Sequence, residues 1–275
     1  MVELGHFAEA FLDAAPDAVL AVDESGEIIL VNMQAEALLG YGRQELWGRA
    51  LESLLAEPDG AATATRRSVG PRSIELLAQH RDGRKVPVEV NLAPVTIDQH
   101  PYTVAILRDL TERRRLEENL HYLSTHDSLT GLANRFAFDE ALVRLDDRGP
   151  HPVGVLMVDL DELKRINDEQ GHAAGDAMLR RVADVLRATF RADDVVARIG
   201  GDEFAVLTSG RDAQAVEALG ARLADAVAQH NREVDAPPLR LSIGVASAES
   251  GMSIAAALQD ADARMYTMKR LHHGR

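Results

Sequence analysis

The chain has no cysteine, which excludes disulfides, zinc–thiolate sites and a cysteine nucleophile together. It also lacks any apolar run near the roughly 18 residues of a membrane span, and its N-terminus, Met1-Val2-Glu3-Leu4-Gly5-His6, has no basic stretch leading into an apolar core. A cytoplasmic protein without a membrane span is therefore expected. Positive charge is scarce: 30 Lys and Arg stand against 44 Asp and Glu, a formal net charge of −14. That balance argues against a nucleic-acid polymer as partner, because wrapping a phosphate backbone calls for a basic face. It leaves room for an anionic nucleotide whose phosphates are neutralised locally by Lys, Arg or Mg²⁺.

What is present fits a globular chain. Of its 275 residues 46% are apolar and 27% charged, and the length accommodates two domains at about 100–200 residues each. Residues 1–110 alternate like an antiparallel sheet with a few helices. Ala18–Val22 and 27–31 read as strands joined at Asp23-Glu24-Ser25-Gly26. A helical patch runs through Ala35, Leu38 and Leu39, then from Glu45 to Leu55, and residues 57–72 read as a loop or weak helix. Three further strands are expected at 73–79, around Val86, Val88, Val90 and Leu92, and over 102–108. Residues 111–127 read as a helix with Leu116, Leu120 and Leu123 on one seam, able to pair two chains. From residue 128 helices and strands alternate, with a buried strand at 153–158, helices ending near 190 and 227, a strand at 239–245 and a last helix over 254–269.

Two acidic features carry chemistry. Arg198-Ile199-Gly200-Gly201-Asp202-Glu203-Phe204 places two carboxylates on what reads as a two-residue hairpin turn, where Gly200 and Gly201 supply positive φ and leave room for a ligand against the backbone. An ordinary acidic surface turn would look the same. Asp159 interrupts an apolar strand in Val158-Asp159-Leu160-Asp161, just before a helix with Lys164 and Asn167 one turn apart. A buried carboxylate is costly unless it is ligated or near the surface, and free N–H groups at a helix start favour phosphate.

In the first part, Ala15-Pro16-Asp17-Ala18, Asp23-x-x-Gly26-x-Ile28, Val31-Asn32, Gly40-Tyr41, Glu45-Leu46-x-Gly48, Asp82-Gly83-Arg84, Val86-Pro87-Val88-Glu89 and Asp109-Leu110-Thr111-Glu112-Arg113 follow one another in an order that resembles a PAS sensor domain. The missing cysteine excludes the flavin–thiol photochemistry of one PAS subgroup. His6, His80 and His100 lie off the central helices where haem-binding relatives place a ligand, so no PAS ligand is assigned. Trp47 and Tyr41 are expected to line a pocket or pack the core.

Residues 124–275 resemble the GGDEF domain of diguanylate cyclases. The carrying motifs are 126–135 (His-Asp-Ser-Leu-Thr-Gly-Leu-Ala-Asn-Arg), Asp159-Leu160-Asp161-x-x-Lys164-x-Ile166-Asn167-Asp168, Gly171-His172-x-x-Gly175-Asp176, the Gly200-Gly201-Asp202-Glu203-Phe204 turn, Ser242-Ile243-Gly244-Val245-Ala246 and Ala261-Asp262-x-x-Met265-Tyr266-x-x-Lys269. The fold class is thus α+β: a PAS domain over 1–110 (antiparallel sheet with flanking helices), a helical linker over 111–127, and a ferredoxin-like, palm-type α/β sandwich over 128–275. The resemblance implies a homodimer in which two such domains, each holding GTP and Mg²⁺ (or Mn²⁺), meet to make cyclic di-GMP. It assigns metal to Asp159, the Leu160 carbonyl, Asp202 and Glu203, with Asp202 also taking the 3′-hydroxyl proton. It gives guanine to Asn167 and Asp176, the β- and γ-phosphates to Lys164 and Lys269, and a backbone approach to Gly200 and Gly201. Arg191-x-x-Asp194, with Arg222 from a later helix, matches the family's inhibitory site for cyclic di-GMP. Two departures stand out. Leu163 replaces a common Phe, and His273 replaces the Arg expected four residues past Lys269, with Arg270 or Arg275 as substitutes. A catalytically silent receptor for GTP or cyclic di-GMP is the rival reading, and a cyclase with a mononucleotide product is a third.

Overall fold

The computed structural model describes residues 2–56, 73–147, 152–248 and 253–273. The chain divides into two compact units, Met1–Glu118 and Asn119–Arg275. In the first, helix α1 (Val2–Asp13) precedes strands β1 (Ala18–Val22) and β2 (Ile28–Val31) and short helices α2 (Met33–Leu39) and α3 (Arg43–Leu46). A 3₁₀ turn at Leu51–Leu54 and strands β3 (Leu55–Ala56), β4 (Ile74–Gln79), β5 (Lys85–Ile97) and β6 (His100–Asp109) follow. The strands form one antiparallel sheet in the order β2-β1-β6-β5-β4-β3.

Its core is aliphatic, with Leu20, Ile28, Leu39, Leu46, Val88 and Leu107 fully enclosed. Asn32 is equally buried and fully satisfied. Its Oδ1 accepts from the Val19 and Ala35 N–H groups, and its Nδ2 donates to the Leu12 and Asp17 carbonyls. One amide therefore caps α2 and ties β1 to the segment before it.

Two sequence expectations change in this unit. The helix expected from Glu45 to Leu55 is interrupted at Gly48, where φ reaches +75° and the N–H turns to the Ile28 carbonyl at 2.8 Å. Trp47 does not pack the core, since it is 63% exposed. Tyr41 packs at the core's edge with the Arg49 guanidinium 4.5 Å over its ring. His80 packs over Gly40 and pairs with Asp82 at 2.8 Å, a structural role. The reading of 57–72 lies outside the described residues.

Helix α4 (Thr111–Thr125) leads to α5 (Arg135–Asp147), β7 (Val153–Leu160), α6 (Leu163–Gln170), α7 (His172–Thr189), β8 (Val195–Arg198), β9 (Glu203–Ser209), α8 (Ala213–Glu233), β10 (Leu241–Ala248) and α9 (Ile254–His273). The four strands pair antiparallel in the order β10-β7-β9-β8, the ferredoxin-like arrangement. Both faces are covered, so every residue of β7 is buried. Leu156, Val158 and Leu160 face α7 and α8, whereas Val155 and Met157 face α5 and α9. The alternation of a strand then puts the Asp159 side chain on the α9 face.

Gly244 sets how closely α9 lies on that face. A Cβ there would fall 1.9 Å from the Ala261 carbonyl oxygen and 2.4 Å from the Met265 nitrogen, both backbone atoms of α9. No side-chain motion relieves that contact. Gly220 on α8 differs, because its Cβ would meet only the end of the Val245 side chain at 2.7 Å. Gly244→Ala is therefore expected to cost about 1–3 kcal/mol or more through overpacking. Gly220→Ala is expected to cost less than about 1 kcal/mol, helped by the better helix propensity of alanine. Urea unfolding of both variants checks the difference.

Candidate active site

The loop after β8 does not form the two-residue, positive-φ turn expected from its sequence. Ile199 pairs with Glu203 through its N–H at 2.9 Å, leaving Gly200, Gly201 and Asp202 as the connection, and neither glycine takes positive φ. Two contacts impose this wider turn. The Asp202 carbonyl accepts from the Leu160 N–H at 2.9 Å, drawing the turn onto the end of β7. The Arg198 guanidinium donates to the Gly201 carbonyl at 2.7 and 3.2 Å and to Asp127 at 3.1 and 3.2 Å. Asp127 also accepts from the Thr130 N–H and hydroxyl. Burial works against the Asp127 carboxylate, but the Thr130 hydrogen bonds and Arg198 outweigh it and hold its pKa below the usual value. A Cβ at Gly200 would lie 2.6 Å from Glu203 Oε2, at the end of a flexible side chain, whereas one at Gly201 would meet nothing within 4 Å.

Four residues named from the sequence converge at the end of β7. Asp159 sits between Glu203 on β9 and Ser242 on β10 in strand register, and is 1% exposed. Lys269 of α9 places its Nζ 2.6 Å from Asp159 Oδ2 and 3.9 Å from Asp202 Oδ2. Asp159 Oδ1 is enclosed with no hydrogen-bond partner among the described residues. Burial is the main force raising the Asp159 pKa; Lys269 opposes it, and the neighbouring Asp202 and Asp161 charges add to it. Burial also works to lower the Lys269 pKa, but the Asp159 hydrogen bond and the surrounding carboxylates carry the net shift upward. One ammonium thus serves several carboxylates that repel one another.

This donor set fits a divalent cation only in part by itself. Among the described residues no group of three or more His, Asp or Glu side chains is placed to hold a metal. Mg²⁺, however, is commonly held by one or two carboxylates completed by substrate phosphates and water. Asp159, with its unpartnered buried oxygen, and Asp202 meet that description, with Glu203 and the Leu160 carbonyl beside them.

The other assigned residues fall nearby or apart. Lys164 is exposed on the first turn of α6. Asn167 and Asp176 are brought together where α6 meets α7: Asn167 Oδ1 is enclosed without a hydrogen-bond partner, and a Cβ at Gly175 would fall 2.1 Å from it. Arg191, Asp194 and Arg222 gather beyond the end of α7. Asp194 Oδ2 accepts from the Arg191 backbone N–H at 3.0 Å and from Arg211 at 3.3 Å, while Arg222 donates to the Thr189 carbonyl and lies over the Phe190 ring. Arg211 was not foreseen. Nor was a buried group beside Asp159: Asp161 accepts from the Ser242 hydroxyl at 2.9 Å and approaches His272 Nδ1 at 2.8 Å. A second aspartate two residues past the first was the available signal. Arg270 is exposed, and the His273 side chain and Arg275 lie outside the described residues.

Comparison with known proteins identifies the family of each domain. Residues 124–275 match the family described as diguanylate cyclase, GGDEF domain, and residues 16–112 match a PAS domain. The probable diguanylate cyclase DgcE of Escherichia coli (strain K12) is 31% identical over 230 residues, covering 78% of this chain and 21% of its own length. The cyclic di-GMP phosphodiesterase PdeR of the same strain is 31% identical over 292 residues, covering 97% of this chain and 42% of its own length. The chain thus spans less than half of either relative. Among solved structures, the coiled coil and GGDEF domain of DgcB from Caulobacter crescentus in complex with c-di-GMP is 29% identical with a TM-score of 0.51, over 60% of this chain and 91% of that one. The chain, a PAS domain followed by a GGDEF domain, belongs to the diguanylate cyclase GGDEF family.

Proposed function

We propose that the chain condenses two GTP into cyclic di-GMP and two pyrophosphates. The observation that carries this reading is the facing of Asp159 and Asp202 across one lysine, with a buried Asp159 oxygen left unpartnered. In each of two successive steps, the 3′-hydroxyl oxygen of one GTP bonds to the α-phosphorus of the other. The bond from that phosphorus to the α,β-bridging oxygen breaks, and pyrophosphate leaves. Asp202, on the open turn beside Gly201, accepts the hydroxyl proton. Asn167 and Asp176 hold the guanine edge, the carboxylate accepting from its N–H donors, and Lys164 and Lys269 hold the β- and γ-phosphates. Mg²⁺ or Mn²⁺, bound by Asp159, Asp202, Glu203 and the Leu160 carbonyl, would stabilise charge on the attacked phosphate and the leaving group.

Each domain offers one such site, so the reaction calls for a homodimer. Leu116, Leu120 and Leu123 on α4 support pairing: all three are more than half exposed at spacings of four and three. In this reading the PAS domain, whose ligand is unassigned, acts on the catalytic domain through α4. Cyclic di-GMP acts back at Arg191, Asp194 and Arg222. No helix among the described residues is long and apolar enough to cross a membrane.

Chromatography of the protein incubated with GTP and Mg²⁺ is expected to show cyclic di-GMP. Asp202→Asn should lower turnover about 100-fold or more, the scale of a lost general base, while GTP binding persists. In the same assay, Arg191→Ala should keep the initial rate and remove the slowing as product accumulates. No product at high protein concentration would favour the silent receptor, and a mononucleotide product the third reading.

The raised pKa of Asp159 has a consequence for stability. A carboxyl that binds its proton more tightly when folded favours the fold below its unfolded pKa and loses that contribution as pH rises through the folded value. Asp159→Asn removes this dependence. The thermal midpoint of the variant minus that of the wild type should therefore rise between about pH 4 and pH 7. A fall over that range, measured by calorimetry without metal or nucleotide, contradicts the assignment.

A further inference from the structure

A second feature lies in the same corner and shares Lys164 with the site above. A cavity of about 740 Å³ is walled by Asp161, Glu162, Lys164, Arg165, Arg240 and His272, with Leu241 closing it. Asp161 lies two residues past Asp159, and His272 lies three residues, close to one helical turn, past Lys269. The cavity therefore adjoins the carboxylate pair. Lys164, Arg165 and Arg240 line it beside Asp161 and Glu162, and Glu169 pairs with Arg165 as well. Cationic side chains beside a nucleotide site suit a phosphate.

The two carboxylates are already engaged. Asp161 is taken by Ser242 and His272. Glu162 joins β7 to α6 in the left-handed region, with φ +64°, a conformation uncommon outside glycine. There its carboxylate accepts from Arg165 and, at 3.0 Å, from Arg240. Arg165 is further tied to Glu169 at 2.8 Å. Arg240 has the looser side chain: its guanidinium is largely exposed, while its carbonyl accepts from the Asp161 N–H at 3.0 Å and so fixes the backbone beneath it. A guanidinium on an anchored backbone, able to leave one shared carboxylate, is well placed to fork onto a phosphate. Position 273, where a guanidinium was expected, carries histidine.

We propose that Arg240 binds the terminal phosphate of the nucleotide in this cavity and makes the site prefer a nucleoside triphosphate to a diphosphate. The inference rests on the nucleotide reading above but not on turnover. It is tested by calorimetric titration of the full chain, in Mg²⁺, with GDP and with a GTP analogue bridged by methylene between the α- and β-phosphates. The wild type should bind the analogue about tenfold more tightly than GDP, the scale of one charge-assisted phosphate contact. Arg240→Ala should bring the two within about twofold by weakening the triphosphate alone. Arg240→Lys, keeping the charge without the fork, should fall between. Arg264→Ala on the exposed side of α9 should match the wild type. Equal affinity of the wild type for both nucleotides, or an equal loss of both in Arg240→Ala, overturns the proposal. If the wild type makes no cyclic di-GMP but keeps the triphosphate preference lost in Arg240→Ala, the cyclase reading fails and the Arg240 assignment stands.

Discussion

The GGDEF unit is organised around one ion pair, Asp159 with Lys269. A carboxylate at the end of a strand covered on both faces is expensive to ionise, and the ammonium that compensates it comes from a helix 110 residues later in the chain. The pair forms only if α9 lies flat on β10, which requires a bare backbone at Gly244. It also requires the last turn of β7 to be held, and the Leu160 N–H bond to the Asp202 carbonyl does that. The second carboxylate is thereby brought to the first by main-chain hydrogen bonding, while Arg198 fixes the turn from its other side through the Gly201 carbonyl and Asp127.

Burial, with the Asp202 and Asp161 charges adding to it, holds Asp159 above its ordinary pKa against Lys269, and leaves it an oxygen that nothing in the described chain satisfies. Glu162 takes a left-handed backbone at the exit from β7. Unsatisfied charge and backbone strain of this kind cluster where a ligand supplies the missing partner.

Much of this was legible in the sequence because it is local. The apolar run of β7 broken by Asp159, the period of α7 and α8, and the glycines before Asp202 each carry their signal within a few residues. What was missed depends on distance. The Arg198 bond to Asp127 spans 71 residues and the His272 contact with Asp161 spans 111, and neither has a periodic signature. The Gly200-Gly201 turn was read as a positive-φ hairpin because its flanks looked free, whereas β7 and Arg198 pull it open. Helix α5 escaped notice because exposed Phe136 and Val143 blur the stripe made by Phe138 and Ala141, and α1 because its Phe7 and Phe11 face away from the core. The helix expected past Glu45 gave way to a hydrogen bond from Gly48 to β2. The Arg211 contact with Asp194, seventeen residues apart, has no periodic signature either.

Under the proposed function, Asp159 and Asp202 hold a cation only once nucleotide phosphates join them. Calorimetric titration of Mg²⁺ into the full chain, with and without a GTP analogue that cannot release pyrophosphate, measures this directly. Saturable Mg²⁺ binding is expected only when the analogue is present, with its loss in Asp159→Asn. Tight Mg²⁺ binding without nucleotide, or binding with the analogue that Asp159→Asn leaves intact, would contradict it.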